Sequence, residues 1–347
     1  MWRTIGKWTF IWIAVAAVLI VVFLTSCGDK NAKDENGTNG NKDGFKYEAP
    51  KNFKAPLTGV AIEMPVDERP VAVMVENSPE ARPQSGLTKA DLVYEVLAEG
   101  DITRFVAVYQ SDATAEAIGP VRSMRPYFLE LGMGLDALIV HAGRSPEVTS
   151  ILKKQQVDNF DEVYNGGDGK YNWRDKSRKA PHNLYTRIDN IRQGAEKKKY
   201  RKTWTDPQLL FGSSGESTVA ATPFQKVKIH YYNGYYVTYS TDSGKGTFLR
   251  SMAGNAHVDR ESEEQIAANN VIICFAKHEV LDKVGRRSVD VNGPGSGFLL
   301  QNGKYIGITW EKKNGAIRAM VAGEELPFVP GNTWIQFVPE GAKIEWQ

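Results

Sequence analysis

At 347 residues, 41% of them apolar, the chain is long enough to bury the cores of two ordinary domains. A formal net charge of only +2 gives no basic excess to steer it onto nucleic acid. Two cysteines, Cys27 and Cys274, are too few for a disulfide framework or a thiolate metal cluster.

In chain order the first feature is Arg3 and Lys7, then an apolar run from Trp8 to Leu24, closed by Leu24-Thr25-Ser26-Cys27. A charged start, an apolar stretch and small residues before a cysteine form a secretory signal whose end is similar to a bacterial lipobox. On this reading 1–26 is a signal peptide, and Cys27 is the first mature residue. It carries two or three lipid chains, those of diacylglycerol with or without a further acyl chain such as palmitate, because one chain anchors only marginally. The competing reading is an uncleaved anchor. The run falls short of the roughly 20 residues that a span prefers, and the cysteine directly after two small residues favours processing. The expected address is the cell membrane, lipid-anchored on its extracytoplasmic face. From 27 to 56 the sequence is dense in Asn, Gly, Lys and Asp, a flexible tether with an average reach on the order of 30 Å.

The folded part begins near Leu57. Val71 to Val75, continuously apolar after Arg69-Pro70, is predicted to be a buried strand, and Leu92 to Leu97 with Ile102 to Tyr109 a hairpin around Gly100-Asp101. A helix is predicted from Pro126 to about Gly132 and a strand from Ala137 to His141. The next helix has Ser145 as its cap, Pro146 at its first position, Glu147 at its positive end, and Val148, Ile151 and Leu152 on one face. A Gly-rich loop from Asn165 to Lys179 leads to Pro181-His182-Asn183-Leu184-Tyr185 and a last helix with Ile188, Ile191 and Ala195 inward. Periodicity breaks between Phe211 and Thr222. Beyond it Val227, Ile229 and Tyr231 alternate towards Asn233-Gly234, and Tyr235, Val237 and Tyr239 continue the hairpin. Asn302-Gly303 and Asn314-Gly315 mark further hairpins, and Thr333 to Val338 is the last strand. Cys274, within Val271 to Phe275, is a small buried hydrophobe on this reading. The expected fold class is α+β, mixed: an α/β domain over 57–211, then a mostly antiparallel β domain over 218–347.

Several of these stretches together resemble the YerB family of bacterial lipoproteins. In the first half they are Arg69 to Asn77, Arg82-Pro83-Gln84-Ser85-Gly86-Leu87, Gly119 to Pro126, and Pro181 to Tyr185. In the second they are Phe248-Leu249-Arg250 with His257 and Asp259, Asn270-Val271, and Pro330 to Trp334. The resemblance covers essentially all of the chain after the signal segment. It implies two domains and a lipid-anchored address, and, for a family of unknown function, no activity.

Familiar catalytic spacings are missing. His278-Glu279 lacks the second imidazole of a zinc helix, Ser150 to Lys153 has no accompanying Lys-Thr-Gly, and Gly295-Ser296-Gly297 reads as turn material. The sharper feature is a set of arginines, Arg82, Arg104, Arg122 and Arg125, with Glu95, Glu99, His141 and His182 placed nearby by the inferred layout. With Pro126 opening a helix, Arg122 and Arg125 sit at its positive end and call for an anion. That anion is either external, a phosphate or carboxylate, or an internal Glu76, Glu95 or Glu99. His182 and Asn183 share a loop with Arg174, Asp175 and Arg178, so His182 and Asp175 are the candidates for acid–base work, against the plainer reading that His182 pins the loop. His257 and Asp259 read as turn stabilisers, and Trp173, Trp204, Trp310 and Trp334 as core in preference to sugar platforms. Lys197-Lys198-Lys199 with Arg201-Lys202 is a solvated basic helix end, or a contact for anionic polymer. No metal and no cofactor is expected. The expected function is a binding or scaffold module for an envelope protein or anionic wall polymer. The alternative is a hydrolase or transferase acting on envelope glycan or phosphate polymer, and enzymatic activity stays open.

Overall fold

The computed structural model describes residues 53–112, 114–163, 171–212, 219–232 and 234–347. The signal segment, Cys27 and most of the tether lie outside the described residues, as do 213–218 in the break between the halves and Asn233 of the expected turn. In the first half β1 (Val71–Glu76), β2 (Leu92–Leu97) and β3 (Thr103–Tyr109) precede α1 (Pro126–Gly134), β4 (Leu138–His141), α2 (Pro146–Gln155) and β5 (Asn159–Asp161). A short hairpin, β6 (Asn172–Arg174) with β7 (Leu184–Thr186), leads into α3 (Ile188–Lys197). The second half contains β8 (Lys226–Tyr232), β9 (Tyr235–Asp242), β10 (Thr247–Met252), β11 (Asn270–Ala276), β12 (Gly295–Gln301), β13 (Lys304–Lys313), β14 (Ala316–Val321), β15 (Thr333–Pro339) and β16 (Ile344–Trp346).

The content is mostly β, and one 12-stranded mixed sheet runs through both halves. Its order is Glu324–Glu325, β14, β13, β12, β11, β15, β2, β3, β1, β4, β5, with Thr222–Pro223 joining β13 beside that path. The joint is β15, which lies parallel to β11 on one side and to β2 on the other, so that Trp334 stands opposite both Val271 and Val93. The antiparallel expectation for the second half therefore holds along β8 to β10 and β11 to β14 and fails at β15. Neither neighbour of β15 is adjacent to it in sequence, so no turn signal marked the pairing. A second sheet of six strands contains β10, β9, β8 and β16 in that order.

Alternation of side chains sorts the core into two layers. Ala72, Met74, Tyr94, Val106, Ile272 and Phe337 pack on one face of the long sheet with Phe128 and Leu131 of α1 and Val148 of α2. Val73, Val75, Val93, Phe105, Ile273 and Trp334 pack on the other face against Val227, Ile229, Val237 and Phe248 of the second sheet and Ile188 and Ile191 of α3. Both faces of β1 are covered, which is why its sequence is an unbroken apolar run. Close approach of α1 to the turn between β13 and β14 needs two glycines: a Cβ on Gly134 would strike the carbonyl oxygen of Gly315. Ser145 stands at the N-cap of α2 with extended backbone, but its hydroxyl makes none of the cap bonds expected of it. The helix end is closed instead by Pro146 at the first turn.

Candidate functional site

Strands β1, β4 and β5 run parallel, and their carboxyl ends bring Glu76, His141 and Asp161 to one edge of the sheet. In open α/β sheets that edge is where ligands bind. The chain from 118 to 125 is stitched into it by backbone bonds from Glu76 N to Pro120 O (2.9 Å), Arg122 N to Met74 O (2.8 Å), Ala142 N to Arg122 O (3.0 Å) and Met124 N to Gly143 O (3.0 Å). Arg122 and Arg125 are thus fixed by the same pairing that ends β1 and β4.

Glu76 organises the first part of the edge. Its Oε1 lies 3.0 Å from Arg122 Nε and accepts from Ser78 Oγ at 3.1 Å, while Oε2 lies 3.0 Å from His182 Nδ1. The carboxylate is buried, whereas the side chains of Arg122 and His182 are 28% and 22% exposed, so the guanidinium and the imidazole lie outward of a covered anion. Among the described residues neither terminal nitrogen of Arg122 donates a hydrogen bond to protein. Ser78 Oγ also reaches His182, at 3.4 Å, but on Nδ1, the nitrogen already held by Glu76. A serine nucleophile needs the carboxylate and the hydroxyl on opposite ring nitrogens. Ser78 is therefore a support for the pair and is not activated by it.

Glu99 organises the second part. Arg104 Nη2 reaches it at 3.3 Å, and Arg125 Nε pairs with its other oxygen. Burial acts to raise the Glu99 pKa, but Arg104 and Arg125 outweigh it and hold the carboxyl below its usual range. Arg104 is buried, donates to Ser123 O at 2.6 Å and lies over the Phe128 ring at 5.6 Å. Its pKa is pushed down by burial, against the opposing pull of Glu99, and further by the cations of Arg125 and Arg122. Arg122 and Arg125 thus meet internal carboxylates from Glu76 and Glu99, and Glu95 serves elsewhere.

Glu95 belongs to a polar network enclosed between the two sheets. Arg250 Nη2 donates to Glu95 Oε2 at 2.6 Å with both side chains fully buried, and the guanidinium lies 5.4 Å from the Phe105 ring and 4.7 Å from that of Trp334. Thr103 and Tyr235 donate to Glu95 Oε1, each at 2.8 Å. Arg250 also donates to His257 Nδ1, so the proton of His257 is on Nε2, which donates to Gln84 Oε1 at 2.9 Å. Burial and the Arg250 charge drive the His257 pKa well down, so this imidazole is neutral. Gln84 Nε2 donates to Glu76 O and Asn77 Oδ1, both at 2.9 Å, linking the network to the end of β1.

The other candidates separate from the edge. Arg82 donates to Asn77 through Nε (3.2 Å) and Nη2 (2.8 Å) and joins the enclosed network, not the outer arginines. Asn183 donates to the carbonyls of Asp175 and Arg178, both at 3.2 Å, and accepts from Arg174 at 2.8 Å, which makes it a brace inside its loop. Asp175 pairs with Arg260 at 2.6 Å; hydrogen bonds from Ser177 and Arg260 pull it down to about 2. The carboxylate that His182 meets is accordingly Glu76 and not Asp175. Asp259 accepts from the backbone N–H groups of Gly86 (3.2 Å) and Thr88 (3.0 Å), tying the second half to the first. Trp310 and Trp334 are buried core. Among the described residues no group of His, Cys, Asp and Glu is arranged to hold a metal, and no helix is long and apolar enough to cross a membrane.

Sequence reasoning offered Glu76 as one of three internal partners but passed over Ser78 and the buried pairing of Arg250. Glu76 is the one charge closing an otherwise apolar strand, and Arg250 shares the inward parity of Phe248 and Met252, so both carried a readable signal.

Fold and site together define a two-domain, mostly β protein whose halves share one sheet and whose carboxyl edge carries a cluster of arginines. The chain belongs to the family described as "Protein of unknown function (DUF3048)", whose N-terminal domain matches 57–201 and whose C-terminal domain matches 227–335. It is 42% identical over 337 residues to "Putative lipoprotein YerB" of Bacillus subtilis (strain 168), covering 95% of this chain and 96% of that one. The crystal structure of YerB protein from Bacillus subtilis covers 85% of this chain and 100% of its own, with a TM-score of 0.78 at 41% identity.

Proposed function

We propose that the protein is an extracytoplasmic binding module, fixed to the cell membrane by lipid on Cys27 after removal of 1–26 and carried on the tether that ends near 56. Its ligand is an anionic group, phosphate or carboxylate, of an envelope polymer or envelope protein, received at the carboxyl edge of β1 and β4. One observation carries this reading. Among the described residues Arg104, Arg122, Arg125 and His182 converge on two inner carboxylates, Glu76 and Glu99, and both terminal nitrogens of Arg122 are uncommitted. A forked guanidinium held at its base and open at its tip suits an oxyanion. The printed name of the relative, a lipoprotein, supports the lipid anchor.

A second reading, a hydrolase or transferase on envelope glycan or phosphate polymer, draws on the Glu76–His182 pair, which leaves His182 Nε2 for proton transfer. The position of Ser78 on Nδ1 weighs against a serine nucleophile and so favours binding over covalent catalysis.

Calorimetric titration of the protein with a glycerol-phosphate polymer, with a neutral glycan as control, tests the binding reading. Saturable binding that weakens as salt rises supports it, since the phosphate contacts are electrostatic. Equal heats for both polymers, or binding indifferent to salt, would refute it.

A further inference from the structure

The hairpin that follows β11 gathers several exposed large apolar side chains at one tip. His278–Val280 pairs with Arg287–Val289, and the tip between them exposes Val280 (59%), Leu281 (62%) and Val284 (73%). Ile102, also exposed, lies in the turn between β2 and β3 that abuts this tip: Gly100 N donates to Gly285 O at 3.3 Å and Arg287 Nη2 to Gly100 O at 2.7 Å. Asp282 keeps the tip closed, accepting from Val284 N at 3.0 Å, Arg286 N at 3.1 Å and Arg286 Nε at 2.5 Å. Large aliphatic side chains are therefore displayed on an ordered turn, so little conformational entropy remains to be lost when they are covered. Lys277, Arg286 and Arg287 flank them in ion pairs with Glu279, Asp282 and Asp101, so the rim is polar but balanced in charge, the arrangement of an interfacial element whose apolar atoms enter the headgroup region while its polar rim stays at the water boundary.

We propose that this tip, Val280, Leu281 and Val284 with Ile102, is a membrane-contact element that seats the folded part on the surface of the bilayer to which the chain is anchored. The inference rests on the lipid anchor at Cys27 and is independent of what the arginine edge binds. Length permits it. The stretch from Cys27 to Phe53 spans at most about 90 Å at roughly 3.5 Å per residue, while a folded unit of this size is on the order of 50 Å across. A tether that long lets any side of the folded part meet the bilayer, and tethering raises the effective concentration of lipid so that a weak patch suffices.

The test uses the lipidated full-length mature protein in vesicles of phosphatidylcholine with phosphatidylglycerol. A fluorophore is placed by Leu281→Cys or, as control, at the exposed Ser243→Cys; Cys274 is buried and Cys27 acylated, so labelling is selective. Lipids carrying a nitroxide near the headgroup should quench the probe at 281 at least threefold more than the probe at 243. Adding Val284→Asp should bring the 281 signal down to the control value without changing thermal unfolding. Equal quenching at the two positions would overturn the proposal. So would protection of the tip in intact cells but not in protein-free vesicles, which would indicate a protein partner.

Discussion

Replacing Arg250 by Met isolates the interaction that joins the two sheets. Arg250 of β10 and Glu95 of β2 are fully buried and bonded at 2.6 Å, and the other donors to the Glu95 carboxylate among the described residues, Thr103, Tyr235 and Asn77, are neutral. Removing one member of a buried pair leaves a charge that water cannot reach, at a cost of roughly 3–5 kcal/mol. In a folded unit of this size each kcal/mol moves the melting temperature by about 2–4 °C, so Arg250→Met should melt on the order of 10 °C lower. Replacing both partners, Glu95→Gln with Arg250→Met, removes the stranded charge and should recover most of the loss. Thermal and urea unfolding of the two single variants and the double variant complete the cycle, and the coupling should exceed about 1.5 kcal/mol. A loss below about 1 kcal/mol for Arg250→Met, or a double variant as unstable as the sum of the singles, would refute the reasoning.

Burial pushes the Asp91 carboxyl up to about 6 against bonds from Ser111 and Gln110 that favour ionisation. Because its folded pKa lies above the unfolded value, its contribution is fully present below about pH 4 and is lost as pH rises through 6; wild type should lose up to about 3 kcal/mol relative to Asp91→Asn between pH 4 and 7, read by urea unfolding. Cys274 is fully buried, which drives its pKa well up, so a thiol reagent should modify it only after unfolding; fast labelling of the folded chain would contradict its core position. Gly134→Ala places a methyl against the Gly315 carbonyl and should cost about 1–3 kcal/mol in thermal unfolding, with an unchanged melting temperature showing that α1 and this turn do not touch.

Local patterns carried much of this architecture. The apolar run of β1, the Pro126 and Pro146 helix starts and the turns at Asn302-Gly303 and Asn314-Gly315 each occupy a few adjacent residues, and the structure has them where the sequence placed them. The insertion of β15 between β11 and β2 depends on pairing across long sequence separations, where period and turn chemistry are silent. The arginines were legible as cations at a helix start, but their partners were not. Sequence could only offer Glu76, Glu95 and Glu99 together, and sheet register alone assigns Glu76 to Arg122, Glu99 to Arg104 and Arg125, and Glu95 to Arg250. His182 was legible as a loop histidine, whereas its carboxylate lies 106 positions away in the chain.

The anion reading is tested most directly by thermal unfolding of wild type, Arg122→Gln and Arg104→Gln, each with and without inorganic phosphate or glycerol-phosphate polymer. Arg122 is partly exposed and Glu76 keeps Ser78 and His182, so Arg122→Gln should cost no more than about 1 kcal/mol. Arg104 is buried against Glu99, so Arg104→Gln should cost roughly 3 kcal/mol or more. Ligand at a hundred times its Kd should stabilise wild type by about 2.7 kcal/mol, and Arg122→Gln should lose about half of that gain or more through a roughly tenfold or greater fall in affinity. A wild type whose melting temperature ignores both anions, together with an Arg122→Gln variant as unstable as Arg104→Gln, would show that the arginine edge is structural and that the ligand binds elsewhere.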